Sequence, residues 1–214
     1  MRGPWELKVR SMSLFPIFLK LDGRRCLVVG AGNVGEPKIQ SLLAAHAEVV
    51  VVAPEATTTV QGWAESGSIT WNRKRFESSD LDSAVLVIAA TASEAINEAV
   101  FIEAQRRGIL CNSVDDPQHC DFYYPAVVRR GDFQVAISTA GHSPALAQRL
   151  RSELEAQFGP EYAEWVNELG RVRQDLFAAD MNPEERKQRL HELASREAFE
   201  TARLSERIYA RTEA

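Results

Sequence analysis

Cys26-Leu27-Val28-Val29-Gly30-Ala31-Gly32-Asn33-Val34-Gly35 is the stretch on which the fold turns. Cys26 to Val29 is a short apolar run of the kind that forms a buried parallel strand. It ends in Gly30-x-Gly32-x-x-Gly35, and a helix is predicted from about Asn33 to His46, with Lys38, Ile39, Leu42 and Leu43 at helical spacing. Strand, glycines and helix in that order are the context of a dinucleotide fingerprint. Gly30 makes the tight turn, Gly32 lets backbone approach a pyrophosphate, and Gly35 lets the helix pack against the strand. Asn33 and Val34 sit between them, at a helix N-terminus whose amides and partial positive charge suit phosphate. A ligand-free βα turn satisfies the glycines equally; the flanking strand and helix favour the cofactor.

Working outward, Leu14 to Leu19 is apolar but interrupted by Pro16, which predicts an edge segment. Glu48 to Ala53 is a β-branched strand followed by Pro54 and Glu55. Glu55 lies 20 residues beyond Gly35, near the place of the acidic residue that holds an adenosine ribose. A loop carboxylate is the lesser alternative for it. No arginine follows the strand directly to meet a 2′-phosphate, which favours NAD over NADP. Val60 to Glu65 reads as a helix, Ile69 to Trp71 as a short strand, Ala84 to Thr91 as a buried strand, Ala95 to Arg107 as a helix closed by Gly108, and Ile109 to Asn112 as the next strand. This alternation predicts an α/β fold with a doubly wound parallel sheet, whose ligands bind at the carboxyl ends of the strands. Gly30 to Gly35, Ala53 to Glu55, Thr91 to Ser93 and Ser113 to Asp116 all fall at those ends.

The alternation then stops. Tyr123 to Val128 and Phe133 to Ser138, about a turn at Arg129 to Asp132, read as an antiparallel hairpin. Ser143 and Pro144 open a helix as cap and first residue. From Ala145 onward the pattern is helical, cut into three helices by Gly159-Pro160 and Asn182-Pro183. The hairpin's apolar faces suggest pairing with a second copy.

The 214 residues are 45% hydrophobic, enough for a sizeable core. A net charge of −5, from 25 basic and 30 acidic residues, supplies no field toward nucleic acid or an anionic membrane, so neither is an expected partner. No apolar run reaches a membrane-spanning length, and Met1 to Ser13 lacks the apolar core of a signal peptide. Met1-Arg2-Gly3-Pro4 reads as a native extension or as a start-site artefact. Three widely spaced cysteines argue against a disulfide framework and place the chain in the cytoplasm.

Taken in order, Phe15-Pro16-Ile17-Phe18-Leu19, the glycine turn, Val52-Ala53-Pro54-Glu55, Ile88-Ala89-Ala90-Thr91, Asn112-Ser113-Val114-Asp115, Asp121-Phe122, Pro125-Ala126 and Ala136 to Ala147 resemble the precorrin-2 dehydrogenase family, including the dehydrogenase/ferrochelatase part of siroheme synthase. The resemblance runs from about Leu14 to Glu155. It implies NAD-dependent oxidation of precorrin-2 to sirohydrochlorin and, in bifunctional members, insertion of ferrous iron to give siroheme. It also implies a homodimer in three parts: an NAD-binding Rossmann domain (1–116), a dimerisation region with a β-hairpin (117–145) and a small helical domain (146–214). No methyltransferase follows Ala214, so the stand-alone form is expected.

The family's motif puts the catalytic base at Asp115, and its place at a strand end in the crevice agrees with that. The same Asp115-Asp116-Pro117 also reads as a plain turn. Asp116 is a neighbour able to share the role, since adjacent carboxylates raise each other's pKa. The implied substrate is rich in carboxylates, and Ser138, Thr139, Gly141, His142 and Ser143 form an anion cradle ahead of a helix N-terminus. Ser143-Pro144 also reads as a helix cap alone. Arg129, Arg130 and Arg149 are candidate carboxylate partners, or solvated surface. Family members often carry glycine at Ala140. Cys111, His119 and Cys120 lack the paired spacing of a metal site, so no metal ligands are expected. The competing reading is an NAD-binding redox sensor without turnover. The sequence offers no basic DNA-reading helix to such a sensor.

Overall fold

Runs rich in Val, Ile, Leu and Ala, buried on both faces, form the three central strands of a five-stranded, wholly parallel sheet. The computed structural model describes residues 14–202. The strands are β1 (Arg25–Ala31), β2 (Glu48–Ala56), β3 (Thr70–Asn72), β4 (Leu86–Ala89) and β5 (Leu110–Ser113), in the order β3-β2-β1-β4-β5. Three helices cross between them: α1 (Glu36–Leu43), α2 (Thr58–Glu65) and α3 (Glu94–Arg107). Side chains alternate along each strand, so β1 serves two layers. Cys26 and Val28 pack with Ile39 and Leu42 of α1 and Val60 of α2, whereas Leu27 and Val29 pack with Val100 and Ala104 of α3. The strand order reverses beside β1, and a crevice opens there at the carboxyl ends. Burial pushes the Cys26 thiol up to about 11 and that of Cys111 up to about 12, so both behave as small apolar residues.

Several boundaries differ from the sequence expectation. Residues 14–20 form no strand, and Phe15, Ile17 and Phe18 stand exposed, since Pro16 offers no donor to a ladder. α1 starts at Glu36 and stops at Leu43, with a turn on each side. β2 continues through Pro54 and Glu55, because the ladder breaks register where proline has no N–H: Val29 faces Val52, but Ala31 faces Ala56.

The chain divides into two compact units, one ending at Tyr124 and the other beginning at Pro125. The second unit opens with a hairpin, β6 (Ala126–Arg130) and β7 (Phe133–Ile137), joined by two residues only, Gly131 and Asp132. Gly131 has φ 55°, the glycine-first turn that matches strand twist, so Arg129 and Arg130 belong to the strand and not to the turn. Helices α4 (Pro144–Gln157), α5 (Glu161–Ala178) and α6 (Pro183–Leu193) follow with the expected breaks. A further helical stretch, residues 196–202, has no Gly or Pro to announce it; the Ser195 hydroxyl accepts the Ala198 amide at 3.1 Å. Phe133, Phe158, Tyr162, Trp165 and Phe199 stack at centroid separations of 4.6 to 5.8 Å and form this unit's aromatic core.

Candidate active site

The glycine turn is held by backbone packed on backbone. Gly30 has φ 103°, and a Cβ there would overlap the Ala90 carbonyl oxygen of the β4 end. A Cβ at Gly35 would overlap the carbonyl oxygen of Gly30. Gly32 differs: a Cβ there would meet nothing within 4 Å, so its face opens on free space. Its carbonyl accepts the Glu36 amide at 3.0 Å, which starts the helical winding before α1. Among the described residues no protein acceptor takes the amides of Asn33 or Val34. Open space, free amides and a helix N-terminus together fit a dinucleotide pyrophosphate.

Around this turn the other strand ends assemble. Thr57, just beyond β2, donates its hydroxyl to Glu36 at 2.6 Å and its amide to the Ala31 carbonyl at 3.0 Å, which fastens the end of β2 to the turn. Pro54 and Glu55 are exposed on that rim. β3 brings a cation that reading along β2 alone missed: Arg73 donates to the Pro54 carbonyl at 3.3 Å and lies 5.4 Å from the Trp71 ring centroid. Thr91 follows β4 beside Gly30, and its hydroxyl is engaged by Asn97 at 2.8 Å and the Ser93 carbonyl at 3.1 Å. Asn97, buried on α3, also bonds the Thr91 amide and carbonyl. Thr91 therefore shapes the rim chiefly through its backbone.

Asp115 lies at the end of β5, exposed, with φ 62°. Polar side chains fix its loop. Asn112 donates to the Phe122 carbonyl at 2.8 Å, Asp121 accepts the Cys111 amide at 2.9 Å, and the Cys120 thiol donates to the carbonyls of Ser113 and Asp116 at 3.1 and 3.2 Å. Asp116 is not a twin of Asp115. It is paired with His119 and caps the short turn Pro117–His119, and that bond to His119 holds its carboxyl below the ordinary range, opposite to the raising expected of adjacent acids. His119 packs on Phe101, and Cys120 is spent on its carbonyls. Among the described residues no group of three or more His, Cys, Asp or Glu side chains is arranged to hold a metal ion. The Ser113 hydroxyl is buried at the same strand end and has no hydrogen-bond partner among the described residues.

Lys38 was legible only as a helical repeat, yet it faces this end of the sheet. Its ammonium sits 3.7 Å from the Tyr124 ring centroid. Burial lowers its pKa, and the Asp115 carboxylate acts in the opposite direction. One helical turn past Gly35, a half-buried cation thus lies within electrostatic reach of the candidate base.

Two family models match the chain: one described as "Putative NAD(P)-binding" over residues 17–126, the other as "Sirohaem biosynthesis protein central" over residues 130–157. This chain belongs to the siroheme synthase N-terminal family. A siroheme synthase of Photorhabdus laumondii is 39% identical over 88% of this chain and 38% of its own length. That of Nitrosococcus oceani is 42% identical over 71% of this chain and 32% of its own length. The chain thus spans about a third of the curated relatives it matches. A solved structure of SirC, a precorrin-2 dehydrogenase, superposes with a TM-score of 0.74 at 26% identity, covering 86% of this chain and 90% of that one.

In the family's central segment, the loop before α4 carries the remaining predicted residues. The Ser138 hydroxyl accepts the Ala140 amide at 3.1 Å, that of Thr139 accepts the Ser143 amide at 3.1 Å, and that of Ser143 caps α4 on the Leu146 amide at 3.3 Å. Ala140 and Gly141 both have positive φ, at 50° and 80°. His142 is exposed. Arg130 is structural: it donates to the Phe158 and Glu155 carbonyls and so caps the end of α4. Arg149 pairs with Glu153 at 3.3 Å along α4.

Proposed function

We propose that this chain is an NAD-dependent dehydrogenase that oxidises precorrin-2 to sirohydrochlorin. The observation that carries the reading is the glycine turn, packed shut at Gly30 and Gly35 and open at Gly32, with Asp115 on the same end of the sheet. The likeness to SirC supports the substrate. The residues Gly30, Gly32, Asn33, Val34 and Gly35 would hold the pyrophosphate, Glu55 and Pro54 the adenosine ribose, and Thr91 the β4 rim. Bound there, NAD would accept the hydride that the macrocycle loses.

The chain's own part is the proton. Oxidation removes a hydride and a proton from precorrin-2, and the Asp115 carboxylate takes the proton. Lys38 presents a cation to that carboxylate and to incoming substrate carboxylates. In the second unit the lead-in Ser138, Thr139, Gly141, His142 and Ser143, with the N-terminus of α4, suits substrate carboxylates. Iron insertion would need the same base to remove pyrrole protons as ferrous iron enters as substrate. The two-stranded β6–β7 sheet has two edges, which suits pairing with a second copy as a homodimer. Three free cysteines suit the reducing cytoplasm, and among the described residues no helix is long and apolar enough to cross a membrane.

The test is NADH formation from precorrin-2. Asp115→Asn keeps the left-handed backbone and removes the base; turnover is expected to fall by about two orders of magnitude or more while NAD affinity stays within about threefold. A wild-type chain that binds NAD but forms no NADH would leave the redox-sensor reading standing instead.

A further inference from the structure

The helices α4 to α6 and residues 196–202 carry seven arginines among the described residues. Five are neutralised by an acid about one turn away: Arg149 by Glu153, Arg151 by Glu155, Arg171 by Glu168, Arg189 by Glu192 and Arg196 by Glu200. Arg173 and Arg186 are the exceptions. They come from two different helices, and both guanidinium groups lie against one ring, Phe177, at 4.7 and 4.3 Å from its centroid. Among the described residues neither guanidinium makes an ion pair or hydrogen bond, although Asp175, Glu184 and Glu185 are close in sequence. Phe177 itself is 53% exposed.

These side chains line a cavity of about 430 Å³ together with Pro183, Lys187, Leu190 and His191, and among the described residues no acidic side chain lines it. A concentration of cations without a counter-charge is unexpected in a chain of net charge −5. Contact with Phe177 restrains the two guanidinium groups, so part of their rotamer entropy is already lost before any ligand arrives. A restrained pair of forks beside an apolar ring is complementary to neighbouring carboxylates carried on a flat apolar frame.

We propose that this cavity, distinct from the crevice of the first unit, is a second anion site that takes adjacent carboxylates of a polycarboxylated tetrapyrrole. The choice of a tetrapyrrole as the carboxylate carrier rests on the dehydrogenase reading above. Arg173 and Arg186 each grip one carboxylate edge-on, Lys187 adds a point charge, and Phe177 and Leu190 meet the macrocycle edge.

Uroporphyrin I, an octacarboxylic tetrapyrrole, is the probe. Fluorescence titration of the full chain is expected to show a binding step that Arg173→Gln/Arg186→Gln weakens at least tenfold and that salt weakens in the wild type. Arg173→Lys/Arg186→Lys keeps the charge and loses the fork; it is expected to weaken the step at least threefold, and it guards against a fold effect of the glutamines. Coproporphyrin, with half as many carboxylates, is expected to bind more weakly. Unchanged uroporphyrin affinity in both variants overturns the proposal, as does displacement of the probe by inorganic phosphate at equal concentration. NAD titration and NADH formation by the same variants are expected to match wild type. Their loss in the wild type, with the Arg-dependent step intact, would count against the dehydrogenase reading and not against this site.

Discussion

Two loops in this chain lead into a helix, and they hold their shape by opposite means. The turn Gly30–Gly35 is shaped by the absence of side chains: backbone lies on backbone at Gly30 and Gly35, and the amides of Asn33 and Val34 have no protein acceptor among the described residues. The loop Ser138–Ser143 is shaped by side chains: three hydroxyls accept the amides of Ala140, Ser143 and Leu146, and the Thr139 carbonyl accepts that of His142. The first spends nothing on itself and so keeps its donors. The second uses three of its own amides to stay folded, which leaves hydroxyl, imidazole and helix-end contacts for a substrate. A helix N-terminus in a sequence is therefore not yet an anion site; what matters is whether its lead-in has already used the amides.

The largest effect is expected where that difference is steric. Gly35→Ala puts a Cβ onto the Gly30 carbonyl, backbone against backbone with no flexible atom to yield. A loss of about 4 kcal/mol or more in denaturant unfolding is expected, with NAD binding abolished. Gly32→Ala meets nothing in the protein, so stability should change by about 1 kcal/mol or less, while NAD affinity measured by calorimetry falls at least about tenfold because the methyl occupies the pyrophosphate's approach. Equal stability losses at the two positions would erase the distinction between a packing glycine and a ligand glycine.

Ser143→Ala probes the other loop. The hydroxyl satisfies one orphan amide of α4, so the substitution is expected to cost about 1 kcal/mol in the same unfolding assay and to leave NAD affinity unchanged. A loss of NAD affinity instead would show that the cap's role reaches the cofactor.

The parallel sheet was readable because its strands are buried on both faces and carry continuous apolar runs, from Leu27 to Val29 and from Leu86 to Ala89. The cofactor turn was readable because glycine spacing encodes backbone geometry directly. Arg73 and Lys38 were not, for a different reason: each reaches the site through an element whose local pattern says only strand end or helix turn. Pairing of β3 with β2 brings Arg73 to Pro54, and the seating of α1 turns Lys38 toward Asp115. The pairing of Asp116 with His119 was not legible either, because His119 lies three residues on in a turn that spacing alone did not reveal. The helical stretch at 196–202 escaped notice because a serine, with no Gly or Pro beside it, interrupts the pattern there.

The smallest expected effect has the opposite sign. Ala140 is held at φ 50°, where a Cβ crowds its own backbone, and the Ser138 hydroxyl keeps it there by accepting its amide. In an L-residue this conformation costs about 1–2 kcal/mol. Glycine removes that cost but gains freedom in the unfolded chain, which returns part of it. Ala140→Gly is therefore expected to stabilise the protein by about 0.5–1 kcal/mol, read as a small rise in Tm. The same change at a position of ordinary φ would destabilise. A fall in Tm would mean that the strain is relieved in solution and that the loop does not hold the left-handed pair Ala140-Gly141. A rise would establish that the side-chain-built loop stores strain that the glycine-built turn avoids.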